Sequence, residues 1–96
     1  MQQETFTIPH DAPQIGAIHS HYKDSSKEYQ VTGISLNSDS DEWHIEYVPL
    51  YEGAAAPKFN RSLTGWLNKA IVDGKEVERY PFVRWDVLFI QKAIGN

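Results

Sequence analysis

Two pairs of side chains in this sequence are spaced to bind a divalent ion: His19 with His21, and His44 with Glu46. A spacing of two puts both members of a pair on one face of an extended chain. If the two segments were neighbouring strands, three imidazoles and a carboxylate would converge, a donor set suited to zinc. Histidines on strand surfaces are common without any ion, and that reading is the better supported. Neither a metal nor a cofactor is therefore expected. A second group, His21, Tyr22, Lys23 and Arg61, suits anion recognition or acid/base work. Arginine offers a planar fork of donors to carboxylate or phosphate, and histidine titrates near neutral pH. The competing structural reading pairs Arg61 with a carboxylate in Asp39–Glu46, makes Tyr22 a core or rim aromatic and leaves His21 hydrogen-bonded within the fold.

The aromatics Tyr29, Trp43, Tyr47, Tyr51, Phe59 and Trp66 are numerous for 96 residues. Most are expected in the core, because a thin barrel fills with large side chains. Tyr47 and Tyr51 share a face if Pro49 keeps the two-residue phase. An exposed groove of such rings would suit a peptide or stacked bases. The candidate ligand-binding set is thus His21, Tyr22, Lys23, Tyr47, Tyr51, Arg61 and Trp66. No catalytic residue is assigned, because the chain has no nucleophile elbow, phosphate loop or dinucleotide fingerprint.

These residues need a scaffold, and strand signals dominate from Gln14 onward. Residues 1–13 read as an arm interrupted by Pro9 and Pro13. Gln14–Lys23 reads as a first strand, Asp24–Lys27 as a polar turn and Glu28–Leu36 as a second strand. Tyr29 and Val31 alternate in one phase, Ile34 and Leu36 in the other, so a bulge or bend is expected at Gly33. A turn over Asn37–Glu42 precedes a third strand, Trp43–Tyr51, which Pro49 ends early, bulges or confines to an edge. After a loop over Gly53–Pro57, Lys58–Ser62 reads as a short strand and Ser62 as the N-cap of one helical turn reaching Trp66. Asp73-Gly74 is the strongest hairpin signal, suited to a type I′ turn between Leu67–Val72 and Lys75–Tyr80. In Pro81–Asn96 the spacing of Val83, Val87, Ile90 and Ile94 favours a C-terminal helix, although the residue types favour strand. A tail this apolar is expected to pack on its own barrel or in a homodimer.

The length allows a single domain over 1–96, able to bury roughly 60–65% of its unfolded surface. Composition is ordinary for a globular chain, with 41% hydrophobic and 23% charged residues. Cysteine is absent, which excludes disulfides, thiolate metal sites and cysteine catalysis. Met1-Gln2-Gln3-Glu4 begins no secretory leader and no apolar run is long enough to span a membrane, so a cytoplasmic location is expected. The formal net charge of −4 weighs against nucleic acid as the ligand. Lys58, Arg61, Lys69, Lys75 and Arg79 nevertheless leave a local basic face open. Many short strands divided by turns imply a mostly β barrel or roll.

Read together, Ile18–Lys23, Glu28–Val31, Asn37–Asp39, Tyr47–Tyr51, Phe59–Leu63 with Trp66, Val72–Lys75 and Arg79-Tyr80 resemble the bacterial family known as domain of unknown function 1653. The resemblance covers about residues 17–82 and rests on the order and spacing of its motifs. His21, Tyr22 and Lys23 fall on the family's His-Tyr-Lys, Tyr47, Leu50 and Tyr51 on its Tyr-x-x-Leu-Tyr, and Arg61 on its arginine. His19 stands in place of Tyr, Ser20 of Arg, Phe59 of Trp, Ser62 of Pro and Glu78 of Pro. The resemblance implies a small SH3-like barrel over 14–82, with 83–96 as an appended tail, in a bacterial or phage-related protein. It implies no established activity.

The expected function is a non-enzymatic binding module that recognises a protein or peptide segment through an aromatic and polar face. One alternative is a small enzyme or metal-dependent binder built on His21, Lys23 and Arg61. Another is a nucleic-acid-binding domain of the same fold.

Overall fold

The structure is a computed structural model and describes residues 6–86. Seven strands and one short helix follow one another: β1 (Ala17–His21), β2 (Asp24–Asn37), β3 (Glu42–Pro49), β4 (Phe59–Ser62), α1 (Leu63–Leu67), β5 (Lys69–Val72), β6 (Lys75–Glu78) and β7 (Phe82–Trp85). Five strands form an antiparallel sheet in the order β4-β3-β2-β1-β7, and β5 and β6 pair with each other. The mostly β class expected from the sequence holds. The barrel is not closed: β4 and β7 are the two edges of an open sheet, because β5 and β6 form a separate ribbon rather than bridging them.

Local chemistry explains most of the elements. Val31 pairs with Tyr47 and Gly33 with Glu46, so Thr32 is an extra residue opposite the partner strand. This bulge lets Tyr29 and Val31 point into the core while Ile34, in the opposite phase, still packs against it. Pro49 ends β3, as a residue without an amide donor should. Ser62 caps α1, its side chain accepting from the Gly65 amide at 3.1 Å. Asp73 and Gly74 have φ of 51° and 77°, the two positive angles of a type I′ turn, with Val72 and Lys75 as the closing pair.

Two expectations are corrected. The turn between the first strands is Tyr22-Lys23, with His21 paired to Asp24, and not Asp24–Lys27. The register jumps from Ser20–Glu28 to His21–Asp24, so residues 25–27 bulge out of β2. The Asp24 carboxylate accepts from the Ser26 amide at 3.0 Å and the Ser26 hydroxyl at 2.6 Å, and this local bonding competes with the ladder. The helix expected to begin at Val83 does not: Phe82–Trp85 is β7, paired antiparallel to β1. Aromatic and β-branched side chains prefer a pleated surface, and β1 offered a free edge. Arg84 clamps Glu28 through two bonds of 2.8 and 2.9 Å, and Gln30 donates to Asp86 at 2.7 Å, tying β7 across to β2. The rest of that expected helix, residues 87–96, lies outside the described residues, as does the start of the arm.

The core is Tyr29, Val31, Ile45, Tyr47, Leu63, Trp66 and Tyr80, with Val31 and Ile45 wholly enclosed. Burying side chains of this size contributes roughly 1.5–3 kcal/mol each. Tyr80 follows the β5–β6 ribbon and stacks on Trp66, ring centroids 4.3 Å apart and nearly parallel. The chain around it is docked on β1: the Tyr22 amide donates to the Arg79 carbonyl and the Ser20 amide to the Pro81 carbonyl, each at 3.0 Å. These two bonds carry Arg79 and Tyr80 to the end of β1, where His21 lies.

Candidate functional site

His21 closes β1 and leads into the Tyr22-Lys23 turn. Its Nδ1 accepts from the Lys23 amide at 3.1 Å, so the neutral ring carries its proton on Nε2. The imidazole stacks on Tyr22 at 5.0 Å and meets the Tyr80 ring edge-on at 5.4 Å. Arg61, reaching over from β4, covers the same Tyr80 ring at 5.4 Å. Lys23 lies over Tyr22 at 5.8 Å and Lys27 over Tyr51 at 5.5 Å. The Tyr51 and Tyr29 hydroxyls share a hydrogen bond of 3.0 Å, which joins the rim to the core. Tyr47 and Trp66 are buried beneath these groups and form their floor.

Electrostatics distinguish this end of the sheet. Burial lowers the pKa of His21, and the charges of Lys23, Arg61, Arg79 and Lys27 lower it further, in that order. Among the described residues none of those four cations has a carboxylate within 4 Å, whereas Lys58, Lys69 and Arg84 are each paired with a glutamate. Asp24, the acid that responds to His21 and Lys27, has its Oδ1 engaged with Ser26. Burial works against the Arg61 charge, but the phenol oxygens of Tyr47 and Tyr80 outweigh it and raise the guanidinium pKa. Burial likewise raises the Tyr80 hydroxyl to about 12 and pushes Tyr29 up, with the Tyr51 hydrogen bond adding to the latter shift. Both phenols therefore remain protonated donors at neutral pH. The Nε atoms of Arg61 and Arg79 are enclosed with no hydrogen-bond partner among the described residues, each at a cost of about 1–3 kcal/mol. Unpaired like charges add self-repulsion.

The structure thus brings His21, Tyr22, Lys23, Tyr51 and Arg61 to one face, over Tyr47 and Trp66. The alternative pairing of Arg61 with an acid in Asp39–Glu46 does not occur; Glu46 instead binds Lys58 at 3.0 Å and accepts from Ser35 at 3.0 Å. Lys27, Arg79, Tyr29 and Tyr80 join the site without having been assigned to it. Arg79-Tyr80 stood in the sequence as a motif next to the hairpin, but its neighbours are set by tertiary contacts alone.

The four candidate metal ligands separate. Ile45 and Tyr47 point into the core, so His44 and Glu46 face the other side of β3, where His44 Nδ1 lies 3.0 Å from Asn60 Oδ1. His19 sits on the core side, its Nδ1–H donating to the Tyr80 carbonyl at 2.8 Å, with rings of Trp66 and Phe82 against it. Burial lowers its pKa, opposed by the Tyr80 carbonyl and Glu78. Among the described residues no three His, Asp or Glu side chains are grouped to hold a metal ion.

One cleft adjoins the site and another lies away from it. The adjoining one, of about 190 Å³, lies between His19, Trp66, Arg79, Tyr80 and Phe82, with Asp11, Lys69 and Glu78 mixing both charges around it. The other, about 490 Å³, is on the opposite face near Ser35, His44, Glu46, Lys58 and Asn60. Its polar side chains already bond one another, which leaves fewer free groups than the cation-lined end of β1 has.

Residues 17–82 match a family described as a protein of unknown function, DUF1653. The chain belongs to the DUF1653 family. A crystal structure of a DUF1653 protein from Bordetella bronchiseptica has the same fold, with a TM-score of 0.64 and 24% identity over 75% of this chain and 90% of that one. No curated protein matches the chain. Ser62 supplies the helix cap, and Phe59 stacks on Tyr47 at 5.8 Å. No helix among the described residues is long and apolar enough to cross a membrane.

Proposed function

We propose that this DUF1653 chain is a small binding module that recognises an anionic segment of a partner protein through the face formed by His21, Tyr22, Lys23, Lys27, Tyr51, Arg61, Arg79 and Tyr80. One observation carries the reading: four cations with no acidic partner among the described residues gather around aromatic rings on a chain whose net charge is −4. Guanidinium and ammonium groups backed by rings bind a ligand that is both negative and partly apolar. The rigid strands and the stacked Trp66–Tyr80 pair hold these groups in place, so little order has to be gained on binding. The cysteine-free composition fits a module working in the cytoplasm.

The test is selection from a random peptide display, followed by fluorescence polarisation of the enriched peptides. Acidic sequences with an aromatic or aliphatic residue should emerge, and Lys27→Ala and Arg61→Ala should weaken them at least tenfold. Failure to enrich any sequence, or equal binding by both variants, contradicts the proposal. A single-stranded oligonucleotide that binds where peptides do not, with affinity falling steeply as salt rises, replaces it with the nucleic-acid reading.

A further inference from the structure

We infer that the charge recognised by this face is a tetrahedral, doubly negative oxyanion of the phosphate type, seated between His21, Lys23, Lys27, Arg61 and Arg79. The inference rests on the binding-module reading above and specifies its ligand. A lone carboxylate carries one charge on two oxygens, so it would leave most of the four cations uncompensated. A phosphoryl group brings close to two charges and three strong acceptor oxygens, which suits two guanidinium forks with two ammonium point charges. The two lysines and two arginines reach this place from four directions: the Tyr22-Lys23 turn, the bulge of β2, strand β4 and the segment after β6. Three of their heads lie over rings of the same face, Lys23 over Tyr22, Lys27 over Tyr51 and Arg61 over Tyr80. The His21 ring adds a neutral donor: its Nε2 carries the proton because its Nδ1 is occupied by the Lys23 amide.

The charged groups facing His21 are Lys23, Arg61, Arg79, Lys27 and the more weakly acting Asp24. A dianion placed among the cations offsets part of their combined effect on the ring, so binding should raise the His21 pKa. The experiment is an NMR titration of the full chain with inorganic phosphate at constant ionic strength, with sulfate and acetate as comparisons, following backbone amides and the His21 ring. Phosphate and sulfate should shift Tyr22, Lys23, Arg61 and Arg79 and raise the His21 pKa. Acetate should bind at least tenfold more weakly. The exposed Lys23→Ala and Lys27→Ala variants keep the test open should Arg61→Ala or Arg79→Ala fail to fold; each should weaken phosphate at least threefold. No shift with phosphate, or equal binding of acetate, overturns the inference. A phosphoserine peptide and its unphosphorylated twin separate the sources of the anion. A tenfold preference for the phosphorylated form, competed by phosphate, supports both readings. Phosphate binding without any gain from the peptide supports the oxyanion and overturns the peptide module. Tight binding of both peptides alike, with no response to phosphate, overturns the oxyanion and leaves the module standing.

Discussion

Replacing Gly74 with valine tests how the ribbon that delivers Arg79 and Tyr80 is built. Asp73 and Gly74 both have positive φ, and a β-carbon added at Gly74 would meet nothing within 4 Å. The cost is therefore conformational and not steric contact with a neighbour. A left-handed conformation costs an L-residue about 1–2 kcal/mol, toward the upper end for a β-branched side chain. In a domain of this size each kcal/mol lowers the melting temperature by about 4–8 °C, so Gly74→Val should lose roughly 4–16 °C. Asparagine tolerates the same angles, so Gly74→Asn should lose far less. Because Tyr80 lies in the core only six residues on, the loss should register in the global transition and not merely as local fraying. Thermal melting of the three proteins by near-ultraviolet circular dichroism, which reads the packed tyrosines and tryptophans, decides it. An unchanged valine variant, or an asparagine variant as damaged as the valine one, would refute the turn conformation as the source of stability.

Three further outcomes follow from single contacts. Ser62→Ala removes the acceptor for the Gly65 amide and should cost about 1 kcal/mol, while Ser62→Asp should retain most of it; chemical denaturation that ranks all three equal counts against the cap. Tyr51→Phe breaks the hydroxyl pair with Tyr29 but keeps the ring, and should cost about 0.5–1.5 kcal/mol. That loss should vanish in a Tyr29→Phe background; an additive double mutant would show no coupling. The folded-state pKa of His19 is depressed below 6.5, chiefly by burial, so the unfolded chain takes up its proton first. The stability owed to this neutral histidine is full above pH 6.5 and is lost as pH falls through 6.5 toward the folded value. His21 acts in the same direction, so the comparison is with His19→Gln: the gap between wild type and variant should narrow from pH 7 to pH 5, and parallel curves would sink this assignment.

Much of the scaffold was legible because it is set by local rules. The phase flip between Val31 and Ile34 demanded a bulge, Asp73-Gly74 demanded positive φ, Pro49 could not continue a ladder, and Ser62 stood where a cap was needed. The polar run Asp24–Lys27 misled because its side-chain bonding shapes a bulge as readily as a turn. Helical spacing misled at Val83 because three-to-four periodicity says nothing of the free edge of β1, which residues 82–85 fill. Closure of the barrel was not legible either, since it depends on whether β5 and β6 bridge the sheet edges or pair together. For the site, two-residue counting put His44 and Glu46 on one face, but only packing of Ile45 and Tyr47 shows that this face is the far one. The roles proposed for Lys27 and Arg79 rest on the carboxylates they lack among the described residues, a property of the folded surface that no local pattern encodes.

The central claim is that the end of β1, and not the broader polar cleft near His44 and Asn60, is where this protein meets its partner. Chemical-shift mapping with an enriched acidic peptide tests it most directly, because both faces report in one spectrum. The account expects the large changes at His21, Tyr22, Lys27, Arg61 and Tyr80, with His44, Glu46 and Asn60 unmoved. Changes centred on His44, Glu46 and Asn60, with the tyrosine and cation face silent, would contradict it.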